Sequence, residues 1–200
     1  MWSEPVNRSY ERRNVQASEQ GFTLMELMTV VVIVGVLSAI AVPTFSNYIY
    51  KARASEASEF LGIIRLREES YRSEFGVYCP TIANGNAVSV LDTKGNLVPN
   101  PSTNPRDPKA FTPSSTGWSN LGARPTGPVR FGYGVAAGTP SEAVSQGIGF
   151  DNATADFWFV ARAVGDLDAD GTFCTFEIYS ASKNVWIGDD AKRPLLKGWE

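Results

Sequence analysis

Glu26 is the residue whose chemistry most needs a partner in this sequence. It stands before an apolar run, residues 27–45, in which only Thr29, Ser38 and Thr44 are polar. About 20 such residues are long enough to span a bilayer as a helix, and a carboxylate costs about 2.5–3.5 kcal/mol at the bilayer centre and less near its edge. Glu26 therefore either meets a cation or extends to the headgroups and interacts with the helix N-terminus.

A second acidic group lies in the stretch GDLDADGTFCTFE. The EF-hand spacing D-x-D-x-D-G-x5-E is met by Asp166, Asp168, Asp170, Gly171 and Glu177. The flanking residues have strand patterns, and Glu177 on a strand would be carried away from the turn, so an EF-hand is not expected. Two interpretations remain. Three carboxylates and the carbonyl of Thr172 collect one calcium ion, or the Asp side chains accept hydrogen bonds from their own turn.

The composition argues against catalysis. The 200 residues include no histidine, the commonest general base and neutral metal ligand. The two cysteines, the lysines and the carboxylates form no recognisable nucleophile and base pattern, so the sequence predicts no enzyme. The net charge of -3 does not require nucleic acid as a partner. No cofactor is required, and calcium is the one candidate ion.

One long helix is predicted to carry Glu26. In residues 46–75, apolar and small side chains recur every three or four positions, and charged residues, Glu68 among them, occupy the other face. With the apolar run this makes a helix of about 50 residues, which a domain of this size cannot bury. Pro43 predicts a kink or a locally melted turn, and Gly76 predicts the helix end.

A sheet is predicted to follow an irregular segment. Residues 78–128 are rich in Asn, Gly, Pro, Ser and Thr and predict a long connection with a short hairpin near residues 88–98. Strand patterns occupy residues 129–135, 157–164, 173–179 and 185–187. An antiparallel meander of these strands on Phe60, Ile64 and Tyr71 of the helix is an α+β fold.

The N-terminal segment resembles that of type IV prepilins and type II secretion pseudopilins, where a glycine precedes F-T-L-x-E and an apolar run. The matching positions are Gly21, Phe22, Thr23, Leu24, Glu26, the run and Pro43. The resemblance implies that a prepilin peptidase cuts between Gly21 and Phe22 and that the new N-terminus of Phe22 is methylated. It also implies that Glu26 pairs with the terminal amine of a neighbouring subunit. Such a pair would neutralise two charges together and fix the axial stagger of the helices.

The resemblance also divides the chain. Residues 1–21 are a leader, residues 22–46 a transmembrane and assembly helix, and residues 47–200 a head. The head comprises an amphipathic helix (47–77), a variable loop (78–128), a β-meander (129–188) and a tail (189–200). The leader arginines favour a cytoplasmic N-terminus, and a cut before the apolar run leaves the anchor on the mature protein. The head is then periplasmic before assembly, and afterwards lies in an extracellular pilus or a periplasmic pseudopilus.

Cys79 and Cys174 are the only cysteines. In an exported domain an even pair favours a disulfide over a catalytic or metal role, and two buried free thiols are the alternative. A bridge spanning about 95 residues would remove up to about 4–5 kcal/mol of denatured-state entropy.

The predicted function is structural: a major or minor pilin of a type IV pilus, with adhesion, motility or protein secretion as outputs. The implied partners are other pilin subunits, the prepilin peptidase, an inner-membrane assembly platform and the membrane. One alternative is a pseudopilin of a type II secretion system, which calcium at the acidic turn would favour. Another is an exported binding module that uses the helix only as a membrane anchor.

Overall fold

The computed structural model describes residues 21–82, 91–92, 94–104, 106–140, 156–167, 169–182 and 184–187. The chain forms two compact units, one ending at Pro43 and one beginning at Thr44. The leader up to residue 20, Asp168, the tail and the first part of the predicted hairpin lie outside the described residues.

Helix α1 spans Leu24–Phe75, 52 residues. It continues through Pro43, so a locally melted turn is not found there, and the kink that is the other expectation for this proline stays a prediction. Gly76 ends the helix as predicted, with φ 76° and its N–H donating to the Arg72 carbonyl at 2.8 Å. Glycine adopts this left-handed conformation without the steric cost that a Cβ would add.

Four antiparallel strands make one sheet in the order β1-β2-β3-β4. They are β1 (Gly132–Gly138), β2 (Trp158–Gly165), β3 (Cys174–Tyr179) and β4 (Trp186–Ile187). A short helix, α2 (Thr116–Leu121), lies in the long connection. The meander and the α+β fold are therefore confirmed.

The hairpin predicted near residues 88–98 is wrong in its described part. Lys94–Asn96 is a 3-10 turn, and Val98 makes one isolated bridge with Tyr133. Pro99 and Pro101 follow directly. Because proline has no N–H to donate to a ladder, the bridge cannot extend into a strand there.

The inner face of the sheet packs on α1. Phe60 is 3% exposed, and its ring meets Tyr133 edge-on at 4.7 Å and Phe111 at 5.5 Å between centroids. Ile64 is fully buried, and Tyr71 packs against the same cluster. The predicted helix-on-sheet contact is confirmed, and aromatic pairs of this kind add about 0.5–1.5 kcal/mol to area burial.

The outer face of the sheet is covered by the long connection. Leu91 and Leu97 are buried in a second cluster with Trp158, Val160 and Tyr179. A Cβ built on Gly134 of β1 would lie 2.9 Å from the side chains of both leucines. Glycine at this position is thus what allows the connection to lie directly on the sheet.

The connection also closes the free edge of β1. Val98 and Tyr133 exchange backbone hydrogen bonds of 2.8 and 2.9 Å. The Thr81 N–H donates to the Val135 carbonyl at 3.0 Å, and its hydroxyl accepts from the Val135 N–H at 2.9 Å. These contacts remove an edge that could otherwise pair with another chain.

Candidate functional site

The helix begins with a capping box formed by Thr23 and Glu26. A carboxylate oxygen of Glu26, Oε2, accepts from the Thr23 N–H at 2.9 Å and from its hydroxyl at 2.8 Å. In return, the Thr23 Oγ1 accepts from the Glu26 N–H at 3.2 Å. Sequence reasoning missed this arrangement, although its signal, T-x-x-E, lies inside the motif F-T-L-x-E.

The residues at the predicted cut lie before the helix and are exposed. Gly21, Phe22 and Thr23 precede the helix, and Phe22 is 87% exposed. Within the described ranges, none of the ion pairs involves Glu26. The carboxylate therefore makes the helix N-terminus interaction of the alternative interpretation, and its pairing with a neighbouring amine stays a prediction.

An apolar surface follows Glu26. In the described part of the chain, α1 is long and apolar enough to cross a membrane, judged by length and composition. None of its most apolar 18-residue stretch is buried in the single chain. The large exposed side chains include Leu27, Met28, Val31, Val32, Val36, Leu37, Ile40 and Phe45. An apolar surface of this extent requires lipid or other helices to cover it.

The acidic turn is held by its own backbone. Asp166, 1% exposed, accepts from the Ala169 N–H at 2.8 Å and the Gly171 N–H at 2.9 Å, and Asp170 accepts from the Thr172 N–H at 2.6 Å. Ala169 and Gly171 have φ of 67° and 86°. These bonds are those of the capping interpretation. Glu177 lies on β3, as the argument against an EF-hand required.

Calcium at this turn stays a prediction, since Asp168 lies outside the described residues, and the two interpretations differ in a measurable way. If the turn only caps itself, calcium should not shift the unfolding midpoint of the full chain in detergent beyond magnesium at equal ionic strength. A site saturated at 100 times its dissociation constant would add about 2.7 kcal/mol and raise the midpoint by several degrees. A calcium-specific rise that Asp170→Ala abolishes would overturn the capping interpretation.

Cys79 and Cys174 are not joined by a disulfide in the structure. They are 4% and 2% exposed and belong to the same core cluster, an arrangement that corresponds to the alternative of two buried thiols, and a disulfide between them stays a prediction. Burial raises the pKa of the Cys79 thiol to about 11. A neutral thiol packs in such a core as a small apolar group.

Glu68 is placed differently from the sequence prediction. It was assigned to the charged outer face of α1, but it is fully buried and accepts a hydrogen bond from the Cys79 N–H at 2.9 Å. The signal was its spacing: Glu68 stands four and seven positions after Ile64 and Leu61, both fully buried. Residues so spaced share one helix face.

A buried charge network lies on the outer face of the sheet. Arg162 of β2 is 5% exposed and Glu177 of β3 is fully buried, and the two are paired across the strands. The Arg162 guanidinium donates to Glu177 and to Asp92 of the connection, and the Tyr179 hydroxyl donates to Glu177. Cross-strand pairing could have revealed the first contact, because opposed residues on one face are neighbours. The network ties the long connection to the sheet.

Comparison with known proteins finds a family motif in the N-terminal segment. Residues 16–42 match the model of the prokaryotic N-terminal methylation motif. The chain is 40% identical over 60 residues to the fimbrial protein EcpC of Eikenella corrodens, covering 30% of this chain and 39% of that protein. It is 41% identical over 56 residues to the type IV major fimbrial protein FimA of Dichelobacter nodosus, covering 28% and 36%.

A third relative matches over a longer stretch of the chain. The type IV major pilin protein PilA of Myxococcus xanthus is 44% identical over 77 residues, 38% of this chain and 34% of that protein. The chain thus spans less than half the length of the curated relatives it matches.

Proposed function

We propose that this chain, which belongs to the type IV prepilin family through its N-terminal segment, is a structural subunit of a type IV pilus and not an enzyme. The observation that carries the proposal is the apolar part of α1. None of its most apolar stretch is buried in the single chain, and most of the apolar run lies within the match to the methylation motif, residues 16–42. In a filament of many copies, the apolar part of α1 in each copy would be covered by the corresponding helices of neighbouring copies.

The subunit is membrane-anchored before assembly. A peptidase cuts between Gly21 and Phe22, the amine of Phe22 is methylated, and Glu26 pairs with that amine in a neighbouring copy. Because the cut precedes the apolar run, the anchor is retained and becomes the assembly helix. The N-terminus is cytoplasmic and the head is exported, and the named relatives, fimbrial and major pilin proteins, favour a surface fibre over a periplasmic pseudopilus.

Processing is tested by Gly21→Val. Glycine leaves the least bulk beside the scissile bond, so valine should block the cut in cells that carry the peptidase, leaving the full-length mass and an unmethylated chain. Mass spectrometry and N-terminal sequencing of the membrane fraction measure this.

Gly35→Val is the matched control, because a Cβ at Gly35 meets nothing within 4 Å and the residue lies away from the cut. It should be cut normally. A Gly21→Val chain that begins at Phe22 would contradict the proposed processing site.

A further inference from the structure

Glu68 is a buried acid with one hydrogen bond. Its side chain is fully buried, Oε2 accepts from the Cys79 N–H at 2.9 Å, and Oε1 has no hydrogen-bond partner among the residues that the structure describes. The bond joins α1 to the segment that follows it, residues 76–82. A carboxylate needs several donors or a cation to remain ionised away from water.

The arginines about one helical turn from Glu68 on α1 have other partners, and Arg67, which directly precedes Glu68, is exposed. Arg65 donates to the carbonyls of Tyr179, at 2.8 Å, and of Ser182. Arg72 pairs with Asp156 at 2.5 Å and also donates to the Tyr78 hydroxyl. Neither guanidinium bonds to Glu68, although they stand three and four positions from it.

The sheet offers Glu68 no cation either. The described strand residues that face α1 are uncharged: Tyr133, Val135, Ala137, Phe159, Ala161, Ala163, Cys174, Phe176 and Ile178. The cation of β2, Arg162, lies on the other face with Glu177. Within the described ranges, the groups that interact electrostatically with Glu68 are Glu69 and Tyr71 on α1 and Cys79 beyond it, and none of these is a cation.

We propose that Glu68 is a proton-dependent lock, which as the neutral carboxylic acid holds residues 76–82 against α1 and on ionisation releases them. Burial, opposed by the Cys79 hydrogen bond and reinforced by Glu69, raises the pKa of Glu68 from 4.5 to about 8. The lock thus opens in weakly alkaline solution and closes below it.

The locked segment is a junction of the head. Thr81 caps the edge of β1 through Val135, and the Ser115 hydroxyl donates to the Thr81 carbonyl at 2.5 Å. A Cβ on Gly117 of α2 would lie 2.3 Å from the Pro80 carbonyl oxygen, so α2 rests directly on this segment. Ionisation of Glu68 would therefore loosen the attachment of both the long connection and the edge of β1.

The sign of the pH dependence follows from proton binding. Between pH 4.5 and about 8 the folded chain holds a proton on Glu68 that the unfolded chain has lost. Stability is fully present below the unfolded pKa and falls as the pH rises, each unit lowering the folding equilibrium constant up to tenfold until the folded pKa is passed. Glu68→Gln, which keeps the shape and the acceptor oxygen, should lack this dependence.

Two measurements on the full chain in detergent micelles test the lock. Denaturant unfolding at pH 5, 6, 7 and 8 gives the free energy of unfolding of each protein. The value for the native protein minus that for Glu68→Gln should fall as the pH rises. Hydrogen exchange, corrected for the intrinsic pH dependence, should show residues 76–82 losing protection above pH 8 in the native protein only. Glu74→Gln, an exposed acid of the same helix, is the matched control and should behave as the native protein does.

A third measurement does not depend on the variant folding. Carbon-13 NMR of the native chain, labelled at the glutamate carboxyl groups, should contain one glutamate that titrates above pH 7. Absence of such a glutamate would overturn the proposal, as would equal pH dependences of stability in the native protein and Glu68→Gln.

Discussion

Glu26→Gln should leave the protein inserted in the membrane and cut after Gly21, but its incorporation into fibres should fall about tenfold or more. Glutamine serves in a capping box as glutamate does, so the bonds to Thr23 can persist while the charge is lost. A charge left unpaired at a desolvated contact costs about 3–5 kcal/mol, enough for a loss of this size. Immunoblots of sheared fibres and of membranes measure the ratio of assembled to membrane-inserted subunit.

Thr23→Val provides the opposite control. It removes the cap, worth about 1 kcal/mol, but leaves the carboxylate of Glu26 in place. If pairing with a neighbouring amine is the role of Glu26, Thr23→Val should reduce fibres far less than Glu26→Gln. Normal amounts of Glu26→Gln in fibres, with a defect in Thr23→Val, would mean that Glu26 acts through the helix start alone.

The long elements of the fold could be predicted because their periodicities are local. Apolar spacing of three and four residues places Phe60 and Ile64 on the sheet side of α1, and Gly76 ends the helix through its own φ. Alternation in β1 places Tyr133 and Val135 on one face and glycines on the other. These properties depend on neighbours along the chain, which a sequence displays directly.

Residue type alone predicts an exposed Glu68, whereas its angular position on the helix predicts burial. Its place in the stripe of Leu61 and Ile64 predicts burial, and only the surrounding structure determines whether an acid can remain there. The capping box at Thr23 was equally local and could have been found. A motif already assigned to processing and assembly can also specify where its helix begins.

The cover over the outer face of the sheet could not be predicted from local pattern. Leu91 and Leu97 come from an irregular segment with no repeat, and their positions depend on contacts with β2 and β3 more than 60 residues later in the chain. Asp92 has no distinguishing signal in the sequence either, because its partner is supplied by a strand that follows two further elements. Long-range contacts of this kind become visible only once the strands are paired.

Arg162→Met should destabilise the head by about 3–5 kcal/mol, because it leaves the fully buried Glu177 without its cation. The Tyr179 hydroxyl would still donate to that carboxylate, but it carries no charge. The double variant Arg162→Met with Glu177→Leu should recover most of the loss, since paired replacement of buried ions by apolar groups is often neutral or stabilising. Denaturant unfolding of the full chain in detergent measures the three free energies.

Two further variants separate the buried pair from ordinary surface charge. Arg130→Met breaks a pair with Glu56 whose side chains are 34% and 23% exposed, so water can replace much of the lost contact and the cost should be about 1 kcal/mol or less. Asp92→Asn changes a side chain that is 56% exposed and should also have a small effect. If Arg162→Met costs no more than Arg130→Met, or if the double variant is no more stable than the single one, Glu177 does not depend on Arg162. The connection would then be held to the sheet by the apolar contacts of Leu91 and Leu97 and by its backbone hydrogen bonds to β1, and the charges beneath it would contribute specificity of register without stability.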